Sequence, residues 1–116
     1  MIDSDTFRQI ALSFPEASEQ PHFEKPSFRI KGKIFATFDI KNNRACVKLS
    51  PKDHDAFSLF DKAVIFPVPN KWGQQGWTFV NLNKVTPELF SELLITSYCE
   101  VAPKKLSRNI RTNKNL

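Results

Sequence analysis

The side chains able to do covalent chemistry are few and scattered. His22 and His54 are the only imidazoles, and Cys46 and Cys99 the only thiols, so a thiol nucleophile with a histidine base would have to come from these four. Neither histidine belongs to an HExxH helix. Neither cysteine has a second Cys or a His at zinc-ligand spacing, so the sequence writes no local metal site. Cys46 falls in an alternating segment and Cys99 in a helical one, where a small half-buried apolar residue is the ordinary role. His54 stands between Asp53 and Asp55 in the first turns of a helix, the setting of an exposed, carboxylate-paired imidazole. Glu16, Glu19 and Glu24 share one segment, but prolines and lysines surround them, and no apolar stretch is at hand to lift a carboxyl pKa for acid–base work. With glycines only at Gly32, Gly73 and Gly76, neither GxxxxGK nor GxGxxG can be written. The expectation is a protein without enzymatic activity, cofactor or metal.

Binding chemistry is better represented. Of the 17 Lys and Arg, five (Lys104, Lys105, Arg108, Arg111 and Lys114) lie between Pro103 and Leu116, where there is no acid; the rest balance the 12 Asp and Glu, leaving the body formally neutral. Such an end suits either a solvated extension or a phosphate-binding arm. Within the body, Arg29, Lys31, Lys33, Arg44 and Lys48 alternate with apolar residues. If Phe28, Ile30, Ile34, Ala36, Phe38, Val47 and Leu49 face helices, the cations share the opposite sheet face with Phe35, Thr37 and Cys46. Trp77 and Phe79 alternate so as to reach the same face. Cations for phosphates and rings for bases are the ingredients of nucleic-acid binding on a sheet, and the same pattern also describes an ordinary solvated face. The string Lys71-Trp72-Gly73-Gln74-Gln75-Gly76-Trp77-Thr78 packs two tryptophans and two glycines into six positions. It reads as a shaped loop presenting Trp72, to cover the sheet end or to grip a base or a partner's side chain.

The elements that must position these residues follow from periodicity. Phe7, Ile10, Ala11 and Phe14 recur at helical spacing after Ser4, predicting a helix over about 5–13 that Pro15 closes. An extended segment over about 18–23 follows, marked as an edge by Pro21 and Pro26. Residues 27–49 alternate with period two, broken at Gly32 and at Asn42-Asn43, and read as an antiparallel meander. Ser50 with Asp53, and Pro51 at the first helical position, open a helix to about Phe60 with Ala56, Phe57 and Phe60 on its core face. Strands follow near 64–68 and 77–82. Thr86, Pro87 and Glu88 start a last helix whose apolar positions, Leu89, Phe90, Leu93, Leu94, Tyr98 and Val101, share one side until Pro103. The expected fold is α+β in two layers, an antiparallel sheet with helices on one face, in the order α-β(3)-α-β(2)-α.

The 116 residues suit one domain over 1–102, with 103–116 as a basic tail. Two distant cysteines give no disulfide framework and favour a reducing compartment. No apolar run reaches the roughly 18 residues of a membrane span, and no basic leader precedes an apolar stretch, so the expected location is the cytoplasm.

Two strings resemble a known family. Phe14-Pro15-Glu16-Ala17-Ser18-Glu19, with Pro26-Ser27-Phe28-Arg29-Ile30-Lys31-Gly32-Lys33-Ile34-Phe35-Ala36, is similar to the amino-terminal signature of the MmcQ/YjbR-like proteins. Trp72 to Thr78, Val80-Asn81-Leu82 and Ser97-Tyr98 resemble its later half. The resemblance spans residues 7 to about 106 and implies a fold like that of secretion chaperones, described as a double-wing DNA-binding arrangement. On that basis the expected partner is DNA, held through Arg29, Lys31, Lys33, Arg44, Lys48, Lys71, Trp72, Lys104, Lys105, Arg108 and Arg111. The alternative is a protein or peptide partner held by the sheet face and Trp72, with the basic tail incidental.

Overall fold

Helix α1 (Ser4–Leu12) begins one residue earlier than the pattern suggested, because Asp3 rather than Ser4 caps it, its carboxylate accepting from Thr6 N at 2.8 Å. The structure is a computed structural model that describes the backbone of residues 2–115 and the side chains of residues 2–108 and 110. Six strands follow in one antiparallel sheet: β1 (Ser18–His22), β2 (Lys25–Ile30), β3 (Lys33–Asp39), β4 (Arg44–Lys48), β5 (Ile65–Pro67) and β6 (Trp77–Asn81). Their order is β1-β2-β3-β4-β6-β5. Both edge strands contain proline, Pro21 in β1 and Pro67 in β5, where a missing ladder donor costs least. The turn between β2 and β3 takes positive φ at Lys31 and Gly32, 54° and 80°, the twist a two-residue hairpin requires.

One irregularity decides which residues face where. Between the pairs Phe28↔Ala36 and Arg29↔Ile34, β3 spends one residue more than β2. This bulge turns both Phe35 and Ala36 inward, each fully buried, and moves Ile34 to the other face. The strict alternation expected for 33–40 therefore fails: Phe35 belongs to the core and Ile34 does not. The Phe35 carbonyl takes a hydrogen bond from the buried Ser97 hydroxyl, which also accepts from Lys48 N at 3.1 Å. A single serine thus satisfies backbone groups of two strands.

Helix α4 (Pro87–Val101), opened by Thr86 as expected, carries Ser97 across the sheet. Its Phe90 meets Phe7 of α1 at 5.1 Å, and Phe7 also packs on Phe28 and Phe38 at 5.2 and 5.0 Å. Tyr98 is buried against Phe14 and Phe35 and donates to Pro15 O at 2.6 Å, which places the Ser97-Tyr98 string as a structural one. Helix α2 (Pro51–Ser58) starts at Ser50 as expected but buries little. Phe57 alone packs on the core, while Ala56 and Phe60 are exposed, contrary to the expected core face. His54 is not a surface imidazole paired with carboxylates: Nδ1 lies 2.8 Å from Thr78 Oγ1. That hydroxyl also donates to Gly76 O, and the contact ties α2 to β6.

Two helices exceed the expected set. Helix α3 (Lys71–Gln74) occupies the loop between β5 and β6, and α5 (Lys104–Asn115) follows α4, its Leu106 and Ile110 packed on the core four residues apart. The whole is an α+β fold. Among the described residues no helix is long and apolar enough to cross a membrane.

Candidate ligand groove

The face of the sheet turned away from α1 and α4 carries a row of paired residues, Ser27–Thr37–Cys46–Phe79–Phe66, running from β2 to β5. Over its middle lies a groove of about 490 Å³. Thr37, Cys46, Phe79 and Trp77 form its floor with Ile34, the residue the bulge delivered to this side. Val68 and Trp72 close one wall; His22, Phe23 and Lys25, from the β1–β2 hairpin, close the other. Among the described residues no Asp or Glu lines it.

The glycine-tryptophan string shapes the first wall through backbone approach. A Cβ at Gly73 would stand 2.0 Å from Val68 O, and one at Gly76, where φ is +100°, would stand 1.8 Å from Leu49 O. Only glycine lets α3 sit this close to β5 and to the end of β4. Asn70 caps α3, accepting from Trp72 N at 3.0 Å, and Trp72 emerges half exposed at 50%. On the other wall Phe23 is 91% exposed with φ 59°, a left-handed backbone that an aromatic residue rarely adopts. The His22 ring stands 4.7 Å from the Phe23 ring.

Charge is concentrated at one rim. Arg44 lies 3.9 Å over the Phe79 ring and 3.7 Å from Asp39, and Lys25 reaches the same carboxylate at 3.6 Å. Asn42 donates to Asp39 at 2.8 Å; that bond, with the two cations, holds the carboxyl below its usual range. Burial pushes the Cys46 thiol up to about 11, so on the groove floor it is a neutral group.

The expected binding residues divide among several places. Arg29 donates to Ser27 Oγ of its own strand at 3.1 Å and to Pro21 O of β1 at 3.3 Å, tying the two strands together. Lys31, in the hairpin turn, pairs with Glu16 at 2.8 Å, and this bond holds the Glu16 carboxyl low. Lys48 donates to the carbonyls of Leu49 and Gln75 at 2.9 and 2.7 Å, pinning the Gly76 turn. Lys33 is exposed in a depression beside the groove, and Lys71 is exposed at the start of α3. Lys104, Lys105 and Arg108 are exposed on α5; the Arg111 side chain lies outside the described residues. Of the expected set, then, Trp72 lines the groove and Arg44 stands at its rim. Sequence reasoning missed Phe23, Lys25, Ile34 and Val68. An apolar ring at Phe23 amid Pro21, Glu24 and Pro26 was the available signal, since nothing in the alternation gave it a core partner.

The comparisons agree with this architecture. A model of the family described as YjbR matches residues 12–100, from the end of α1 to nearly the end of α4. The chain belongs to the YjbR family. Its fold is similar to the crystal structure of Deinococcus radiodurans protein DR2400, a protein with the domain DUF419, at 26% identity and a TM-score of 0.76 over 86% of this chain and 78% of that one. No curated protein matches the chain. The family match includes every strand and the glycine-tryptophan string, and it stops short of α5.

Proposed function

We propose that this protein is a non-catalytic binding module that holds an apolar segment of a protein partner in the groove on the open sheet face. One observation carries the reading. Trp72, Trp77, Phe79 and Phe23 converge on a concave space of about 490 Å³, with two of these rings kept half or more exposed by glycine-dependent or strained backbone. Exposed aromatic surface gathered in a concavity is where binding energy concentrates. Catalysis has little support there: the Cys46 thiol is shifted away from the thiolate, the reverse of an activated nucleophile. Of the cations expected to meet phosphate, Arg29, Lys31, Arg44 and Lys48 are engaged within the fold.

The test is selection of displayed peptides against the full chain. Binders should survive 1 M salt, because apolar contacts are not screened, and should lose at least about tenfold in affinity with Trp72→Ala. Recovery of no binder that depends on Trp72 overturns the reading.

A second reading, DNA binding, is favoured by one separate feature: α5 sets the acid-free basic end on a helix, with Lys104, Lys105 and Arg108 exposed. Five phosphate contacts there would give a log–log salt slope near about −4.5 for duplex DNA. Replacing Lys104, Lys105, Arg108, Arg111 and Lys114 by glutamine, which leaves Leu106 and Ile110 in place, should flatten that slope. Identical binding by the two proteins across salt removes the reading.

A further inference from the structure

We infer that the occupant of the groove is an extended polypeptide segment in which an aromatic anchor is flanked by an acidic residue; this rests on the binding-module reading above. The extended form follows from the shape. The groove runs on through Ile34 and Trp77 into a depression of about 410 Å³ between Lys33 and Glu100. At its other end it runs through Phe23 and Lys25 into one of about 520 Å³ along Glu19, Gln20, Pro21 and Glu24. Three depressions sharing walls accommodate a chain laid across the sheet, whereas a compact ligand would fill only the middle one. The aromatic anchor follows from the lining, since rings meeting edge and face accept another ring with specific geometry.

The acid follows from the charge at the rim. Lys25 and Arg44 share a single carboxylate, Asp39, at 3.6 and 3.7 Å. Two cations against one anion leave a positive remainder at this rim: among the described residues no acid lines the middle depression, and of the acids in the neighbouring ones Glu19 is paired with Arg8. The Nε of Arg44 is buried with no hydrogen-bond partner. A carboxylate on the bound chain, placed beside the anchor ring at this rim, completes this cluster. Because Lys25 is half exposed, its share is that of a surface pair, several-fold in affinity rather than orders of magnitude. Phe23, held at positive φ, would close over the anchor from the hairpin side.

The experiment measures binding of three capped hexapeptides to the full chain by tryptophan fluorescence: Gly-Asp-Phe-Asp-Gly-Gly, its Lys-Phe-Lys counterpart, and its Asp-Ala-Asp counterpart. The first should bind at least about tenfold tighter than the alanine peptide. It should bind roughly three- to fivefold tighter than the lysine peptide, and this second margin should vanish in 1 M salt. Lys25→Glu should reverse the charge preference while leaving the aromatic one. A lysine peptide that binds as well as the acidic one, or no preference for the aromatic ring, overturns the inference. Should selected peptides depend on Trp72 yet carry no acid, the inference falls and the binding-module reading stands; should no peptide depend on Trp72, both fall.

Discussion

The two faces of this sheet are built from the same strands and put to opposite uses. On one, Phe28, Phe35, Phe38, Ala45, Val47 and Val80 are all but inaccessible beneath α1 and α4. On the other, Trp77, Phe79 and Ile34 are only partly covered, and Trp72 and Phe23 stand further out. The difference is one of closure. The covered face completes every contact inside the chain, down to the hydroxyl of Ser97 serving two strands. The open face spends glycines and a left-handed phenylalanine to hold rings apart. A protein interior is close-packed, so apolar side chains held around a space set the open face apart from the core, and this is the feature the proposed binding role rests on.

That contrast can be broken by substitution. The largest effect belongs to the covered face: Phe28→Ala removes a ring stacked on Phe7 and should cost about 3–5 kcal/mol in urea denaturation. An effect near zero would mean the aromatic cluster is not the core. Next comes Ser97→Ala, which strips the Phe35 carbonyl and Lys48 N–H of their partner and should cost about 1–3 kcal/mol, although it removes one oxygen. Survival of full stability would show that the bulge does not need the serine.

A smaller effect should appear with pH at the rim of the open face. The Asp39 carboxyl is depressed in the folded protein, so its contribution is complete above the ordinary carboxylate value, about pH 4, and is lost as pH falls below it through the folded value. Asp39→Asn should be less stable than wild type at neutral pH, and the gap should close in acid; a gap that persists at pH 2–3 would place the role of Asp39 elsewhere. The smallest change in stability is expected for Trp72→Ala, within about 0.5 kcal/mol, because the ring is half exposed. A large loss there would make Trp72 a core residue and remove the distinction between the faces.

Much of the fold was legible from periodicity and capping. Ser50, Thr86, Pro15 and Pro103 bounded helices close to where they lie, and Pro21 and Pro26 marked a strand at the edge. The short α3 was not legible, because Asn70 and the two glycines read as a loop until Val68 and Leu49 are seen pressing on them. Helix α5 was not legible either: its basic residues describe a solvated tail, and only Leu106 and Ile110 mark the side that docks. The groove was half legible, in Trp72, Trp77 and Phe79. Lys25 and Phe23 gave no local pattern, since their role depends on a hairpin that comes alongside the open face.

By itself the sequence determined the class of fold, the ends of α1, α2 and α4 to within a few residues, the loop that needs glycine and the concentration of positive charge in the last residues, because these depend on spacing and on backbone preferences that act over a few positions. Which side of the sheet each residue occupies was decided by the tertiary structure. One extra residue in β3, accommodated where Ser97 of α4 meets the freed carbonyl, exchanged Phe35 with Ile34 across the sheet. A residue's face in a strand depends on register with its neighbours, and register is set by contacts between segments far apart in the chain.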